Sequence, residues 1–471
     1  MRSMVITRTT LRLCRSLLLV GFIAVVGVGG CKSLPFIVPD LALRSSSGVR
    51  LAGVRGPLTA AQSQAVLTGL AERGEPTDIF QRHLALEEAV AGSPLTIGNA
   101  VVLLQDGPST YRAMLQAIES ARDHIHLETY IFDDDAVGQR FADALLRQRQ
   151  RGVAVHVIRD SVGTLSTPEA FFQRLVDGGV QVLVFNPVNP AQARGEWLLN
   201  ERNHRKLLIV DGQVAFLGGI NISSVYSGGS FSRASSVRPG NPAGWRDTDL
   251  QLRGPVVADF QRLFLATWEQ QRGPPLPDRT YFPALQKAGN EVVRAIGSSP
   301  QDEHSLIYIT LLSAIGSAQT SIRLTNAYFV PDPQLLDALE AAAARGVDVV
   351  LVLPSQSDSW LVLAAGRSHY ERLLRQGVKI HERRGVVLHS KTALVDGVWA
   401  TVGSTNLDWR SFLHNHELNA VVLGAGFGEQ LQAMFERDLA VSDTIILSEW
   451  EQRPLHQRMR EAFALVWAYW L

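Results

Sequence analysis

A histidine and a lysine two positions apart, followed by an Asp-Gly pair, occur twice in this chain. The stretches are "HRKLLIVDGQVAFLGGIN" at 204–221 and "HSKTALVDGVWATVGSTN" at 389–406. They align without a gap, so His204, Lys206, Asp211, Gly219 and Asn221 answer to His389, Lys391, Asp396, Ser404 and Asn406. Near pH 7 histidine can serve as an attacking or proton-accepting base and, once protonated, as an acid. Lysine and asparagine bring positive charge and donors to oxygens on which negative charge builds. Two imidazoles on opposite sides of one phosphorus would suit in-line displacement, one attacking while the other protonates the departing alkoxide. Lys206, Lys391, Asn221 and Asn406, with Gly219 and Ser404 beside them, form the expected phosphate-binding set. The scheme calls for no metal and no cofactor.

Those side chains must be held by something stiff. Read as a two-residue hairpin turn, Asp211-Gly212 places Val210 opposite Gln213 and Gly219 across from His204. The same count on Asp396-Gly397 places Ser404 across from His389. Strand alternation puts His204 and Lys206 on one face, about 7 Å apart. The apolar runs Leu207 to Val210 and Thr392 to Val395 bury the strands and stiffen the pairs. Asp211 and Asp396, at the turns, are expected to brace the hairpins and not to touch the phosphate.

The repeat extends beyond the hairpins. "AIESARDHIHLETYIF" (117–132) matches "AIGSAQTSIRLTNAYF" (314–329), "RGVAVHVI" (151–158) matches "RGVDVVLVL" (345–353), and "RLVDGGVQV" (174–182) matches "RLLRQGVKI" (372–380). Order is kept while spacing drifts, as in a duplication with loop changes and unlike a short-period solenoid. Strand-like and helix-like runs alternate within each half, which predicts an α/β fold with a largely buried sheet. The expected organisation is a membrane segment at 1–31, an N-terminal helical extension at 32–94, a first domain at 95–270, a proline-rich linker at 271–295, a second domain at 296–445 and a C-terminal amphipathic helix at 446–471. Residues 222–243, rich in Ser and Gly, read as a loop.

Of 471 residues, 45 are basic and 45 acidic, but Arg2, Arg8, Arg12 and Arg15 precede the first acid. Without the first 31 residues the body keeps 41 basic against 45 acidic residues. That balance disfavours nucleic acid as a partner. Basic residues followed by "SLLLVGFIAVVGVGG" and Cys31 have the layout of an export signal. "VGGC" resembles a bacterial lipoprotein signal, with Cys31 as the lipidation site; an uncleaved membrane anchor is the alternative. The expectation is an N-terminally anchored bacterial membrane protein whose body lies on the periplasmic side. Cys14 and Cys31 are the only cysteines, so the body has no internal disulfide and no cysteine metal site.

The doubled motif resembles the HxKxxxxD signature of the phospholipase D superfamily. "RNHRKLLIVDG", "AYFVPD" and "VGSTNLDWRSFLHNHELN" are similar to bacterial cardiolipin synthases, over residues of about 95–445. The resemblance implies two similar phospholipase D-like α/β sandwich halves related by pseudo-twofold symmetry, with the active site at their interface. It gives His204 the part of nucleophile and His389 that of general acid and base, although the intact motifs leave the reverse order open. It also implies a carboxylate downstream of each motif that orients a histidine, often across the halves: Asp247 in "GWRDTD" and Glu417 in "NHELN". Their purpose would be to hold the ring and stabilise the imidazolium. His414 and His416 fall on the opposite strand face from Glu417, where packing is expected.

The substrate class implied is phospholipid, phosphatidylglycerol in particular, converted to cardiolipin and glycerol at a membrane surface. Trp467, Tyr469 and Trp470 near the C-terminus suit such an interface. A hydrolase of the same superfamily, a phospholipase D or an exported nuclease, would share the chemistry as far as the phosphohistidine. A non-catalytic lipid-binding scaffold would have let one motif decay, and neither has.

Overall fold

Each half is built from alternating segments whose ends are written locally. The computed structural model describes residues 49–74, 77–90, 92–194, 196–229 and 244–471. Cys31 and the N-terminal segment lie outside the described residues, as do 230–243 of the loop. In the first half, strand β1 (Leu95–Leu104) leads through helix α1 (Gly107–Ser120) to β2 (His124–Thr129), α2 (Ala136–Gln150), β3 (Ala154–Asp160), α3 (Glu169–Asp177) and β4 (Gln181–Phe185). The hairpin β5 (Leu207–Val210) and β6 (Val214–Gly218) follows, then β7 (Asp249–Arg253) and α4 (Val257–Gln270). The second half repeats the plan with β8 (Glu291–Ser298), α5 (Leu306–Ser317), β9 (Ser321–Asn326), α6 (Pro333–Ala344), β10 (Asp348–Pro354), α7 (Trp360–Arg367) and β11 (Lys379–Arg383). Its hairpin is β12 (Lys391–Val395) and β13 (Trp399–Gly403), followed by β14 (Asn415–Leu423) and α8 (Ala425–Leu439). A last helix, α9, spans Leu455–Leu465.

Helix starts follow capping chemistry. Asp135 accepts hydrogen bonds from the N–H groups of Val137 and Gly138 at 2.9 Å each. Its counterpart Asp332 accepts from those of Gln334 at 3.0 Å and Leu335 at 3.3 Å, with Pro333 at the first turn. Such caps satisfy N–H groups that have no partner inside the helix.

Strands β4, β3 and β2 are parallel, and β2, β5, β6, β7 and β1 continue the sheet antiparallel. In the second half β11, β10 and β9 are parallel, continued antiparallel by β12, β13, β14 and β8. Strands β1 and β8 pair antiparallel and join the two sheets. The fold is thus α/β, with two similar halves, as expected.

Period-two alternation divides the first hairpin between two cores. Leu208, Val210 and Phe216 face one side, with α1, α2 and α3. Leu207, Ile209, Ala215 and Leu217 face the other, in one cluster with Leu394, Ala400, Val402, Leu418 and residues of α4 and α8. This second core joins the halves, so the two motif hairpins are fixed relative to one another. Truncating a side chain such as Ile209 to Ala would cost about 2–5 kcal/mol.

The hairpin register differs from the expected count. Asp211 and Gly212 both have positive φ, +53° and +62°, and the Gln213 N–H donates to the Val210 carbonyl at 3.0 Å. Pairing, however, resumes at Val210 with Val214, leaving Gln213 as an extra residue. Val395 pairs with Trp399 in the same way, past Val398. The expected pairs His204–Gly219 and His389–Ser404 are therefore each displaced by one.

Candidate active site

Each motif strand is gripped by the opposite half just where its histidine emerges. Arg202–Asn203 pairs parallel with Asn415–His416, and Val387–Leu388 pairs parallel with Trp245–Arg246. The His204 N–H donates to the His416 carbonyl at 3.0 Å, and the His389 N–H to the Arg246 carbonyl at 2.7 Å. Asp160, at the end of β3, accepts from the Asn203 N–H at 2.9 Å and fixes the approach to the first motif. Between histidine and lysine the chain points the other way: the Arg205 Nε donates to the Glu417 carbonyl at 3.0 Å, and Ser390 hydrogen-bonds Thr248 at 2.6 Å.

The two carboxylates cross over. Both carboxylate oxygens of Glu417, in the second half, lie 3.1 Å from Nδ1 of His204 in the first. Oδ2 of Asp247, in the first half, lies 2.6 Å from Nδ1 of His389 in the second. A carboxylate can only accept, so Nδ1 carries the hydrogen and Nε2 is left for chemistry. Both histidines are buried except for a small exposed edge, 8% for His204 and 5% for His389.

The surroundings of the two carboxylates differ. Glu417 also accepts from the Ser404 hydroxyl at 2.5 Å and from the Asn415 amide at 3.2 Å. Asp247 accepts from the Thr248 N–H at 2.7 Å. The counterpart of Ser404 is Gly219, where an added Cβ would meet an Asp247 oxygen at 2.2 Å. Gly219 and Ser404 thus stand against the carboxylates and not across from the histidines.

Lys206 Nζ donates to the His204 carbonyl at 2.6 Å. Lys391 Nζ donates to the His389 carbonyl and lies 3.1 Å from His389 Nδ1. Burial is the main force on all four groups. It pushes both histidines down to about 4, against the pull of Glu417 on one and Asp247 on the other, and each lysine adds to the lowering of both rings. Lys206 is pushed down to about 7 by burial, opposed by Glu417 and reinforced by Lys391. Lys391 is likewise lowered by burial. Burial alone would raise Glu417, but His204 and Lys206 overcome it and hold the carboxyl below its usual range. The two motifs therefore share one electrostatic site. A phosphodiester entering it would supply the missing negative charge and draw these groups back toward protonation.

Asn221 is committed to structure on both sides: its carbonyl accepts from the Ile131 N–H at 3.1 Å and its amide donates to the Tyr226 hydroxyl at 3.0 Å. Asn406 is buried, and its side-chain carbonyl has no partner among the described residues. The Asp211 carboxylate accepts from the N–H groups of Arg122, Asp123 and His124, at 2.9, 2.8 and 3.0 Å. That of Asp396 accepts from Gln319, Thr320 and Ser321, at 3.0, 2.8 and 3.0 Å. Each ties its hairpin turn to the start of the neighbouring strand. His416 is buried with its ring edge-on to Phe185 at 4.9 Å.

Sequence reasoning missed the aromatic walls. The Tyr226 hydroxyl is 3.3 Å from His389 Nδ1, the Trp245 ring 4.9 Å from that of His389, and the Tyr130 ring 5.2 Å from that of His204. Trp245 lies two residues before Asp247, a spacing that puts both on one strand face. Tyr226 gave no such signal, since it sits in a Ser- and Gly-rich loop.

The family described as cardiolipin synthase, phospholipase D-like domain, matches residues 114–227 and 311–439. A cardiolipin synthase of Alkalihalophilus pseudofirmus is 34% identical over 380 residues, covering 80% of this chain and 73% of that protein. Cardiolipin synthase 1 of Bacillus anthracis is 33% identical over 399 residues, covering 82% and 76%. Among solved structures, the phosphatidylserine synthase of Haemophilus influenzae superposes with a TM-score of 0.60 at 13% identity, covering 87% of this chain and 100% of that one. At that identity the likeness speaks for the fold alone.

Proposed function

This chain belongs to the phospholipase D-like cardiolipin synthase family, and from that premise and the site geometry we propose a two-step phosphatidyl transfer from one phosphatidylglycerol to another. In the first step His204 Nε2 attacks phosphorus and the phosphorus–oxygen bond to the glycerol headgroup breaks. His389, protonated on Nε2 as well as Nδ1 when the anionic substrate is bound, passes the Nε2 proton to the departing alkoxide, and glycerol leaves. In the second step neutral His389 takes the proton from a glycerol hydroxyl of another phosphatidylglycerol. That oxygen attacks phosphorus, the nitrogen–phosphorus bond breaks, and cardiolipin is formed.

The observation that carries this reading is the crossing of Glu417 to His204 and of Asp247 to His389. It supplies two imidazoles with the same tautomer, each steadied as it becomes cationic. Proton transfer by a placed imidazole contributes about 10²–10⁴-fold. Lys206 and Lys391 supply charge to the non-bridging oxygens, in a site dry enough to make it count.

The difference between the carboxylates supports the division of labour. Glu417 shares its charge with Ser404 and Asn415, so it stabilises a proton on His204 less. Asp247 sits closer to its ring. Against this, Lys391 stands 3.1 Å from His389 Nδ1 and opposes a proton there, so the assignment of His204 as nucleophile rests on the family resemblance.

Purified protein incubated with phosphatidylglycerol alone tests the reading. Cardiolipin and glycerol in equal amounts support it. Phosphatidate without cardiolipin would replace it with hydrolysis.

A further inference from the structure

Helix α9 is apolar on two opposite sides. Ala464 and Ala468 face inward, in one cluster with Tyr328, Val330 and residues of α7. On the other side Leu455, Met459, Phe463 and Val466 recur every three or four residues and are 71%, 65%, 56% and 76% exposed. Trp470, in the turn that follows, is 63% exposed and extends the stripe. A stripe of this kind is costly in water and signals a surface that something covers.

Charge indicates what covers it. The acid of α9, Glu461, is on the buried side, paired with Arg453 at 2.9 Å. The exposed side carries Arg458 and Arg460, which flank the stripe on a helical wheel. The Arg460 guanidinium lies over the Trp360 ring at 4.7 Å, and that ring is itself half exposed, so the patch continues onto α7. Large apolar side chains, an indole and flanking arginines on one helix face are the makeup of a helix that lies in an anionic lipid interface.

Its position ties it to the chemistry. Tyr328, under α9, holds its ring edge-on to His389 at 6.2 Å. Tyr469 sits 5.8 Å from Trp409, shortly after the second motif. The Tyr328 side chain thus lies between the inner side of α9 and a motif histidine.

We propose that the outer face of α9 and the following turn docks on an anionic phospholipid bilayer and sets the mouth of the active site at the headgroup level. Trp467 and Trp470 enter the interface, while Tyr469 faces the protein. The inference rests on the phosphatidyl-transfer reading for its purpose, but its test does not.

The test uses the full-length chain with Cys14 and Cys31 replaced by serine and one new cysteine carrying a polarity-sensitive fluorophore. Val466→Cys reports the stripe, and Ser120→Cys, an exposed position at the end of α1, is the control. Vesicles of phosphatidylglycerol and phosphatidylcholine should shift the Val466→Cys emission to the blue, quenched by shallow spin-labelled lipid, and leave the control unchanged. A second variant, Met459→Glu with Phe463→Glu, should turn over phosphatidylglycerol in vesicles about tenfold or more slower. It should retain the rate on detergent-dispersed short-chain phosphatidylglycerol, which reads the site without a bilayer. An unshifted Val466→Cys label would overturn the proposal. So would the same shift without lipid on raising protein concentration, which would make the stripe a contact between copies. Absence of turnover by the unmodified chain in both substrates would instead count against phosphatidyl transfer, and the label would still report docking.

Discussion

The carboxylate of Asp247 lies 2.6 Å from Nδ1 of His389, a histidine 142 residues further along and in the other half of the chain. Neither half alone can orient its own imidazole, so duplication is built into the chemistry. Asp247→Asn and Glu417→Gln should each lower kcat on phosphatidylglycerol by about a hundredfold or more while leaving circular dichroism unchanged. Unaltered kcat in either variant would remove that carboxylate from the mechanism.

The Ser404 hydroxyl draws charge away from Glu417. In Ser404→Ala that charge is freed for His204, whose protonated form gains. The acid limb of kcat/KM should therefore move to higher pH, with a modest loss of rate. Gly219→Ala should do more harm, since its Cβ would displace Asp247 from His389. The pH profiles of the two variants, measured side by side, check both expectations.

Asp211 and Asp396 carry a structural load. Each accepts from three backbone N–H groups of the adjoining strand start, and each sits at positive φ, which Asp tolerates better than most residues. Replacing either with Ala should cost about 2–4 kcal/mol in stability. Once folded at low temperature, the variants should keep kcat within a few-fold. Thermal melts and assays at 15 °C, roughly the temperature of greatest stability for many proteins, separate the two effects.

Acid should unfold the protein early. His126, between His124 and His156 and stacked on Phe264, is held well below its usual range by burial and then by the neighbouring histidines. Burial pushes His156 down to about 4, with His124, Arg149 and Arg279 adding to it. His204 and His389 are lowered similarly. Between about pH 6.5 and 4 the unfolded chain takes up protons that the folded chain refuses, so stability falls as pH drops through that window. Urea midpoints measured across it should show the decline, with a shallower slope in His126→Phe. A flat profile would contradict the burial of these rings.

Much of the site could be read before the fold was known, because its parts are local in sequence and doubled. Equal offsets placed His204 with His389 and Lys206 with Lys391, and the bracing role of Asp211 and Asp396 follows from their place at the turns. The hairpin register could not be read. The Asp-Gly turns form with their expected hydrogen bond, but Gln213 and Val398 then bulge, and both turns are tied by side chains to a strand some 80 residues earlier. Nothing within the hairpin announces that tie. Asn221, expected at the phosphate, is held between Ile131 and Tyr226, partners set by tertiary packing that the sequence did not reveal.

The central claim is that two imidazoles act on one phosphorus, with His204 forming the covalent bond. A phosphatidyl ester of p-nitrophenol, whose leaving group departs without a proton, isolates that step in His389→Asn. The account predicts a burst of one nitrophenolate per chain and a phosphatidyl group, joined through an acid-labile nitrogen–phosphorus bond, on the peptide containing His204. A burst that survives in His204→Asn, or a label found on any other residue, would contradict it.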